Sequence, residues 1–259
     1  MGVRTVFFDI DGTLVSFATH RVPESTLEAL AELRRRGVEV VIATGRGAEP
    51  IDEIRHVPYS AIIGLNGSEC VLDDGRMLFR HTIPEELFER VLDAGERHGF
   101  AVAAKFRAGF VVTRVTPRVQ AMAERVALPC PPTGDLRELY RHESTGQMCI
   151  YADAETERRV MAGLPGLCSS RWCDIFADIN LAEVNKGTGI RDYLAYRGYD
   201  MAESMSFGDG GNDIPMFRST GLSVAMGNAS DEVKAAADHV TSGVDDDGVR
   251  AALTHFGVI

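Results

Sequence analysis

The N-terminal segment restricts the fold more than any other stretch of the chain. An apolar run, Arg4 to Ile10, is followed by Ser25 to Arg36, where Leu27, Leu30 and Leu33 recur at helical spacing. After Gly37 comes a second apolar run, Val38 to Ala43. Strand, helix and strand in such quick succession predict a βαβ unit, with a right-handed crossover and parallel strands. A parallel sheet is covered on both faces and gathers ligands at the carboxyl ends of its strands.

The alternation continues through Ala61-Ile62-Ile63, which ends in Gly64-Leu65-Asn66-Gly67, and a hairpin is predicted through Asp73-Asp74-Gly75. The pattern then changes. Thr82, with Glu85 three residues on, predicts a capping box for a helix to His98, closed by Gly99. Ala101 to Phe106 and Phe110 to Val115 predict a hairpin around Arg107-Ala108-Gly109. Residues 117–128 read as helix, Pro129 to Pro132 and the glycine and acidic residues after them as loop, and Gln147 to Ala152 as strand. Residues 154–163 read as helix and Arg171 to Ala182 as a strand region, with Trp172 in the core.

From Lys186 the βα alternation resumes. It predicts helix 186–197, strand Met205-Ser206-Phe207, a helix from Asp213, strand Leu222 to Ala225, helix 230–237 and a terminal helix at 248–256. The expected class is α/β: a parallel-sheet core formed by residues 1–81 and 184–259, with an α+β insertion over 82–183.

Composition agrees with a folded chain, at 259 residues, 45% hydrophobic and 25% charged. The net charge of -11 argues against nucleic acid or an anionic membrane as partner. No apolar run approaches the roughly 18–20 residues of a membrane span, and Asp9 interrupts Val6-Phe7-Phe8 at once, so neither signal peptide nor anchor is expected. Five cysteines without a two-residue spacing fit a reduced, cytoplasmic setting. A monomer or small homo-oligomer is expected. Of 27 cationic residues only Lys105, Lys186 and Lys234 are lysines, so the position of each is informative.

Chemistry-bearing residues stand at the predicted strand ends. Asp9-Ile10-Asp11-Gly12-Thr13 places two carboxylates where one can attack and the other exchange protons. It is not an EF-hand loop, whose glycine stands sixth and whose glutamate stands twelfth. Thr44-Gly45-Arg46 closes the second strand and is expected to open a helix, bringing a hydroxyl and backbone N–H groups to a site suited to phosphate. Lys186 begins a helix, where its charge opposes the macrodipole, and an anionic ligand explains that placement. Gly208-Asp209-Gly210-Gly211-Asn212-Asp213 follows an apolar strand and offers hard oxygen ligands suited to Mg²⁺. The same stretch fails the dinucleotide fingerprint, and Lys186-Gly187-Thr188 lacks the glycines of a P-loop.

The ordered set of these four motifs resembles that of the haloacid dehalogenase-like hydrolases. Only 35 residues separate Asp9 from Thr44 but 142 separate Thr44 from Lys186, so the accessory domain falls between the second and third motifs. That placement, with Asn66-Gly67 and Met226-Gly227-Asn228-Ala229, resembles the Cof-type sugar-phosphatase branch. The resemblance implies a Rossmann-like core with an α+β cap. It also implies Asp9 as nucleophile and Asp11 as general acid and base. Mg²⁺ would be held by Asp9, the Asp11 carbonyl and Asp209, with phosphate on Thr44, Gly45, Lys186 and Asn212 and with Asp213 bracing Asp209 or Lys186. Lys105, Arg107 and Arg114 surround the predicted cap hairpin and could reach a second group of the substrate, a small phosphorylated metabolite, most simply a sugar phosphate. Two alternatives stay open: a phosphomutase of the phosphomannomutase type, and a catalytically idle metabolite-binding regulator on the same fold.

Overall fold

A computed structural model of the chain describes residues 2–48, 51–125, 128–171 and 173–259. The chain forms two compact units, Met1–Arg80 with Val184–Ile259, and His81–Glu183. In chain order the first unit contributes β1 (Thr5–Phe8), α1 (Glu24–Arg35), β2 (Glu39–Ala43), β3 (Ala61–Gly64), β4 (Glu69–Leu72) and β5 (Met77–Arg80). The second unit contributes α2 (Glu85–His98), β6 (Ala101–Phe106), β7 (Gly109–Val112), α3 (Pro117–Arg125), α4 (Leu136–His142), β8 (Met148–Tyr151), α5 (Ala154–Met161), β9 (Leu167–Ser170) and β10 (Ala177–Leu181). The first unit then resumes with α6 (Lys186–Arg197), β11 (Ser204–Gly208), α7 (Ile214–Phe217), β12 (Leu222–Ala225), α8 (Asp231–Ala235), β13 (His239–Val240) and α9 (Gly248–His255).

The first unit's eight-stranded sheet has the order β13-β12-β11-β1-β2-β3-β4-β5. The six strands from β13 to β3 run parallel, and β4 and β5 turn back antiparallel. All four residues of β1 are buried, because side chains pointing to either face meet a helical layer. Phe8 stacks on Phe207 at 5.0 Å on one face, and Phe7 meets Tyr193 of α6 edge-on at 5.9 Å on the other. Burying each phenyl ring contributes about 2–3 kcal/mol, enough to hold β1 at the centre of the sheet. Its carboxyl end, beside those of β2 and β11, is where the acidic loops emerge.

The second unit is a five-stranded antiparallel sheet, β7-β6-β8-β10-β9. Phe88, Val91 and Leu92 of α2, Leu136 of α4 and Val160 of α5 pack with Ala104, Met148, Ile150 and Ile179 on one face. Val119 and Met122 of α3 pack with Ala101, Ala103, Cys149 and Tyr151 on the other.

Several sequence expectations need correction. Pro84, not Thr82, occupies the N-cap of α2, and no side chain caps that helix. Thr44-Gly45-Arg46 opens no helix directly; the next helical turn among the described residues is the short Asp52–Ile54. The stretch expected to be loop after Pro132 contains α4, started by Asp135, whose carboxylate accepts from the Arg137 and Glu138 amides. The strand region 171–182 is in fact β10, preceded by a turn and by β9. The helix from Asp213 shortens to a tight turn, Gly211–Asp213, and the four-residue α7. The last residues of the 117–128 helix lie partly outside the described residues, as does Trp172.

Candidate active site

The loops that leave the ends of β1 and β11 meet the start of α6. Asn185 caps α6 by accepting from the Thr188 amide at 3.1 Å, which sets the helix so that Lys186 points inward and is fully buried. Lys186 Nζ donates to Asp9 Oδ1 at 2.5 Å and to Asp213 Oδ1 at 2.6 Å. The other oxygen of Asp213 accepts from the backbone amides of Asp209 at 3.0 Å and Gly210 at 2.9 Å. Asp213 therefore folds its own loop around the lysine. Gly208 permits this, since a side-chain carbon there would lie 2.5 Å from the Asp213 carboxyl group.

Asp209 is held on its other side. It accepts from Thr13 Oγ1 at 3.3 Å and from Asn228 Nδ2 at 3.1 Å. Gly12, at φ +84°, passes so close that a side-chain carbon would lie 2.2 Å from Asp209 Oδ2. Any larger residue would displace the carboxylate.

One carboxylate oxygen each of Asp9, Asp209 and Asp213 lies within 4.8 Å of the others. Three acids thus surround one buried cation, and the ionisation of Asp9 and Asp209 reflects the shortfall. Burial, with the charges of Asp213 and Asp209, raises Asp9 to about 7 against the pull of Lys186. Burial and Asp213 raise Asp209 to about 6. For Lys186 burial works against the charge, but Asp213 and Asp9 outweigh it and hold the ammonium form. A hard-oxygen, net-negative cluster of this kind suits a small divalent cation such as Mg²⁺. Both oxygens of Asp213 are taken by the Lys186 ammonium and two backbone amides, whereas Asp9 meets Lys186 through Oδ1 and Asp209 meets only the neutral Thr13 hydroxyl and Asn228 carboxamide, so Asp9 and Asp209 are the better-placed ligands.

The profile of the haloacid dehalogenase-like hydrolases matches residues 6–253. The chain belongs to this family. It is 31% identical to the putative phosphatase YkrA of Bacillus subtilis (strain 168) over the whole length of both chains. Among solved structures it is similar to BT1666, a phosphatase of this superfamily from Bacteroides thetaiotaomicron, at 43% identity and a TM-score of 0.95, covering 100% of this chain and 96% of that one. It is likewise similar to the subclass IIB sugar phosphatase BT4131, at 35% identity and a TM-score of 0.88, covering 99% and 100%. This haloacid dehalogenase-like hydrolase is a phosphatase.

The remaining site residues divide by unit. Thr44 is buried at the end of β2, where its hydroxyl accepts from the Arg46 amide at 3.1 Å, a bond that does not use its own proton. Arg46 forks onto Asp11, with Nη2 on Oδ1 at 2.6 Å and Nε on Oδ2 at 3.0 Å, and its third nitrogen donates to Glu53 at 3.1 Å. Gly45 lies under two carboxamides: a side-chain carbon there would be 3.3 Å from Asn66 Oδ1 and 3.7 Å from Asn212 Nδ2. Lys105, Arg107 and Arg114 belong to the second unit. Lys105 is buried on β6 with its Nζ 5.5 Å from the centre of the Phe110 ring. Arg107 is exposed in the hairpin turn, where its backbone amide is bound by Glu143 at 2.8 Å. Arg114 donates to the Phe100 carbonyl at 2.9 Å and so braces the start of β6.

Sequence reasoning quoted Arg46 and Asn228 within motifs but gave neither side chain a role. Asn228 donates to the Gly12 carbonyl at 2.9 Å and to Asp209, while its own carbonyl accepts from the Val244 amide at 3.0 Å. The available signal was positional, since Asn228 follows the carboxyl end of β12 as Asp9 follows that of β1.

Proposed function

We propose that the protein hydrolyses a small phosphomonoester, most simply a sugar phosphate, with Mg²⁺ and through an aspartyl-phosphate on Asp9. The observation that carries this reading is the buried Lys186 bonded to both Asp9 and Asp213 beside Asp209. Lys186 pins one oxygen of Asp9 and so directs the other, which attacks phosphorus as the ester P–O bond breaks. Asp11 gives its proton to the departing alkoxide. It then takes one from water, whose oxygen displaces Asp9 from phosphorus and releases inorganic phosphate. Arg46 bonds both oxygens of Asp11, so one of these bonds must open for Asp11 to carry the proton while the other keeps the carboxyl group in place. Thr44, the Gly45 amide, Lys186 and Asn212 bind the other phosphoryl oxygens, on which charge spreads in a loose transition state.

Asp9, Asp209 and the carbonyl of Asp11 would hold Mg²⁺, which supplies the charge compensation an anionic nucleophile needs to approach a phosphate. Lys105, Arg107 and Arg114 of the second unit are the proposed contacts to the organic part of the substrate. A relative from Klebsiella pneumoniae (strain 342), 29% identical, is named an HMP-PP phosphatase, which supports a small phosphorylated metabolite as substrate. Five free cysteines support a reducing, cytoplasmic location.

The test is a panel of sugar phosphates, nucleotides and p-nitrophenyl phosphate, assayed with Mg²⁺ and with chelator. Phosphate release that needs Mg²⁺ and is lost in Asp9→Asn supports the reading. A long-lived phosphoenzyme that discharges only to a second sugar phosphate would replace it with a mutase.

A further inference from the structure

The segment between β3 and β4 holds three consecutive residues in the left-handed region, Leu65 at φ +51°, Asn66 at +55° and Gly67 at +99°. A tight hairpin needs at most two such residues, and L-residues visit this region singly, with bulky ones such as leucine rarely doing so. The cost persists only where surrounding contacts demand the conformation, and such strain gathers at working sites.

Those contacts reach each loop that carries a candidate phosphate ligand. The Leu65 amide donates to the Arg46 carbonyl at 2.8 Å, and the Asn66 amide donates to the Thr44 carbonyl at 3.0 Å. Asn66 Oδ1 accepts from Asn212 Nδ2 at 3.0 Å. Gly67 lies against the start of α6, where a side-chain carbon would stand 2.1 Å from the Asn185 carbonyl oxygen and 3.2 Å from the Lys186 amide nitrogen. Only glycine fits there. Thr44, Asn212 and Lys186 come from three distant parts of the sequence, and this turn touches the loop or helix start of each.

We infer that the Leu65–Gly67 turn positions the phosphate-binding loops and that Asn66 is the positioning residue for Asn212, an inference that rests on the phosphatase reading above. An amide nitrogen carries two hydrogens. Giving one to Asn66 fixes the plane of the Asn212 carboxamide over Gly45 and directs the other. Asn212 is exposed and Asn66 half-buried, so the bond contributes little to folding; its effect is orientation.

The experiment compares wild type, Asn66→Gly, Asn212→Ala and the double variant, because glycine keeps the left-handed turn while removing the amide. Competitive inhibition of p-nitrophenyl phosphate hydrolysis by inorganic phosphate is expected to weaken about tenfold in Asn66→Gly, the size of one misdirected hydrogen bond to an anion. Asn212→Ala should match it, the double variant should be no worse, and the melting temperature of Asn66→Gly should stay near wild type. Unchanged inhibition in Asn66→Gly, or effects that multiply in the double variant, overturns the inference. So does a fall in melting temperature and active fraction at a constant inhibition constant, the mark of a merely structural residue. The Asn212 side-chain amide signal in ¹⁵N spectra reports the tie separately: its displacement in Asn66→Gly supports the inference and its constancy overturns it. A wild type that neither hydrolyses phosphate esters nor binds phosphate refutes the phosphatase reading instead, whatever that signal does.

Discussion

Each unit buries a carboxylate, but the two are compensated differently. In the first, Asp9 and Asp213 share the ammonium of Lys186, and Asp213 takes two backbone amides besides. In the second, Asp178 on β10 accepts from neutral groups, Gln147 Nε2 at 2.8 Å and Cys149 Sγ at 3.1 Å. Burial raises Asp178 to about 6, countered in part by the bonds from Cys149 and Gln147 and by no cation among the described residues. Burial of an acid therefore does not by itself mark a reaction centre. What distinguishes the first cluster is that a buried cation and oriented backbone dipoles are arranged around its acids.

The sharpest way to break the comparison is Asp9→Asn. The fold should survive, because the amide still meets Lys186, while turnover with Mg²⁺ falls by about 10³-fold or more, read as initial rates on p-nitrophenyl phosphate. Next in size is Lys186→Met, which leaves two buried acids without their cation. A loss of about 3–5 kcal/mol in urea unfolding is expected, together with loss of activity. A drop below 1 kcal/mol would show that the cluster is neutral after all.

Asp178 should respond to pH with the opposite sense to an ordinary paired carboxylate. Its folded value, about 6, lies above the 3.8 of the unfolded chain, so the native state binds more protons between these two values. Its contribution is fully present below pH 4 and is lost as pH rises through 6. Relative to Asp178→Asn, wild type is expected to lose about 2 kcal/mol between pH 4 and pH 7, measured by thermal melts of both proteins at each pH. Parallel stability curves would refute it. The smallest stability effect belongs to Arg46→Ala. Its pair with Asp11 is more than a third exposed on both sides, so stability should change by under about 1 kcal/mol, yet kcat should fall about tenfold as Asp11 loses its orientation.

Asp9, Thr44, Lys186 and Asp209 were legible because each stands at the end of an apolar strand or the start of a helix, where a parallel sheet delivers its loops. The partners that aim them were not. Arg46 meets Asp11 across 35 residues, Asn66 meets Asn212 across 146, and Asn228 reaches Gly12 across 216, and no local pattern encodes such distances. Local rules also failed in two places. Thr82 satisfied the spacing of a capping box, but Pro84 supplies the N-cap instead. The proline-rich approach to Asp135 read as loop, although Asp135 caps α4 with two bonds.

By itself the sequence determined the alternating core, the position of the insertion, and the loops from which the acids and the lysine would emerge. These follow from periodicity and strand-end placement, which are properties of neighbouring residues. Tertiary structure alone decided that Lys186 is shared between Asp9 and Asp213, that Arg46 fastens Asp11, and that a left-handed turn at Leu65–Gly67 touches the loops of Thr44 and Asn212 and the start of α6. Directed hydrogen bonds depend on angles and distances between segments remote in the chain, and those are set only once the sheet has brought the strand ends side by side.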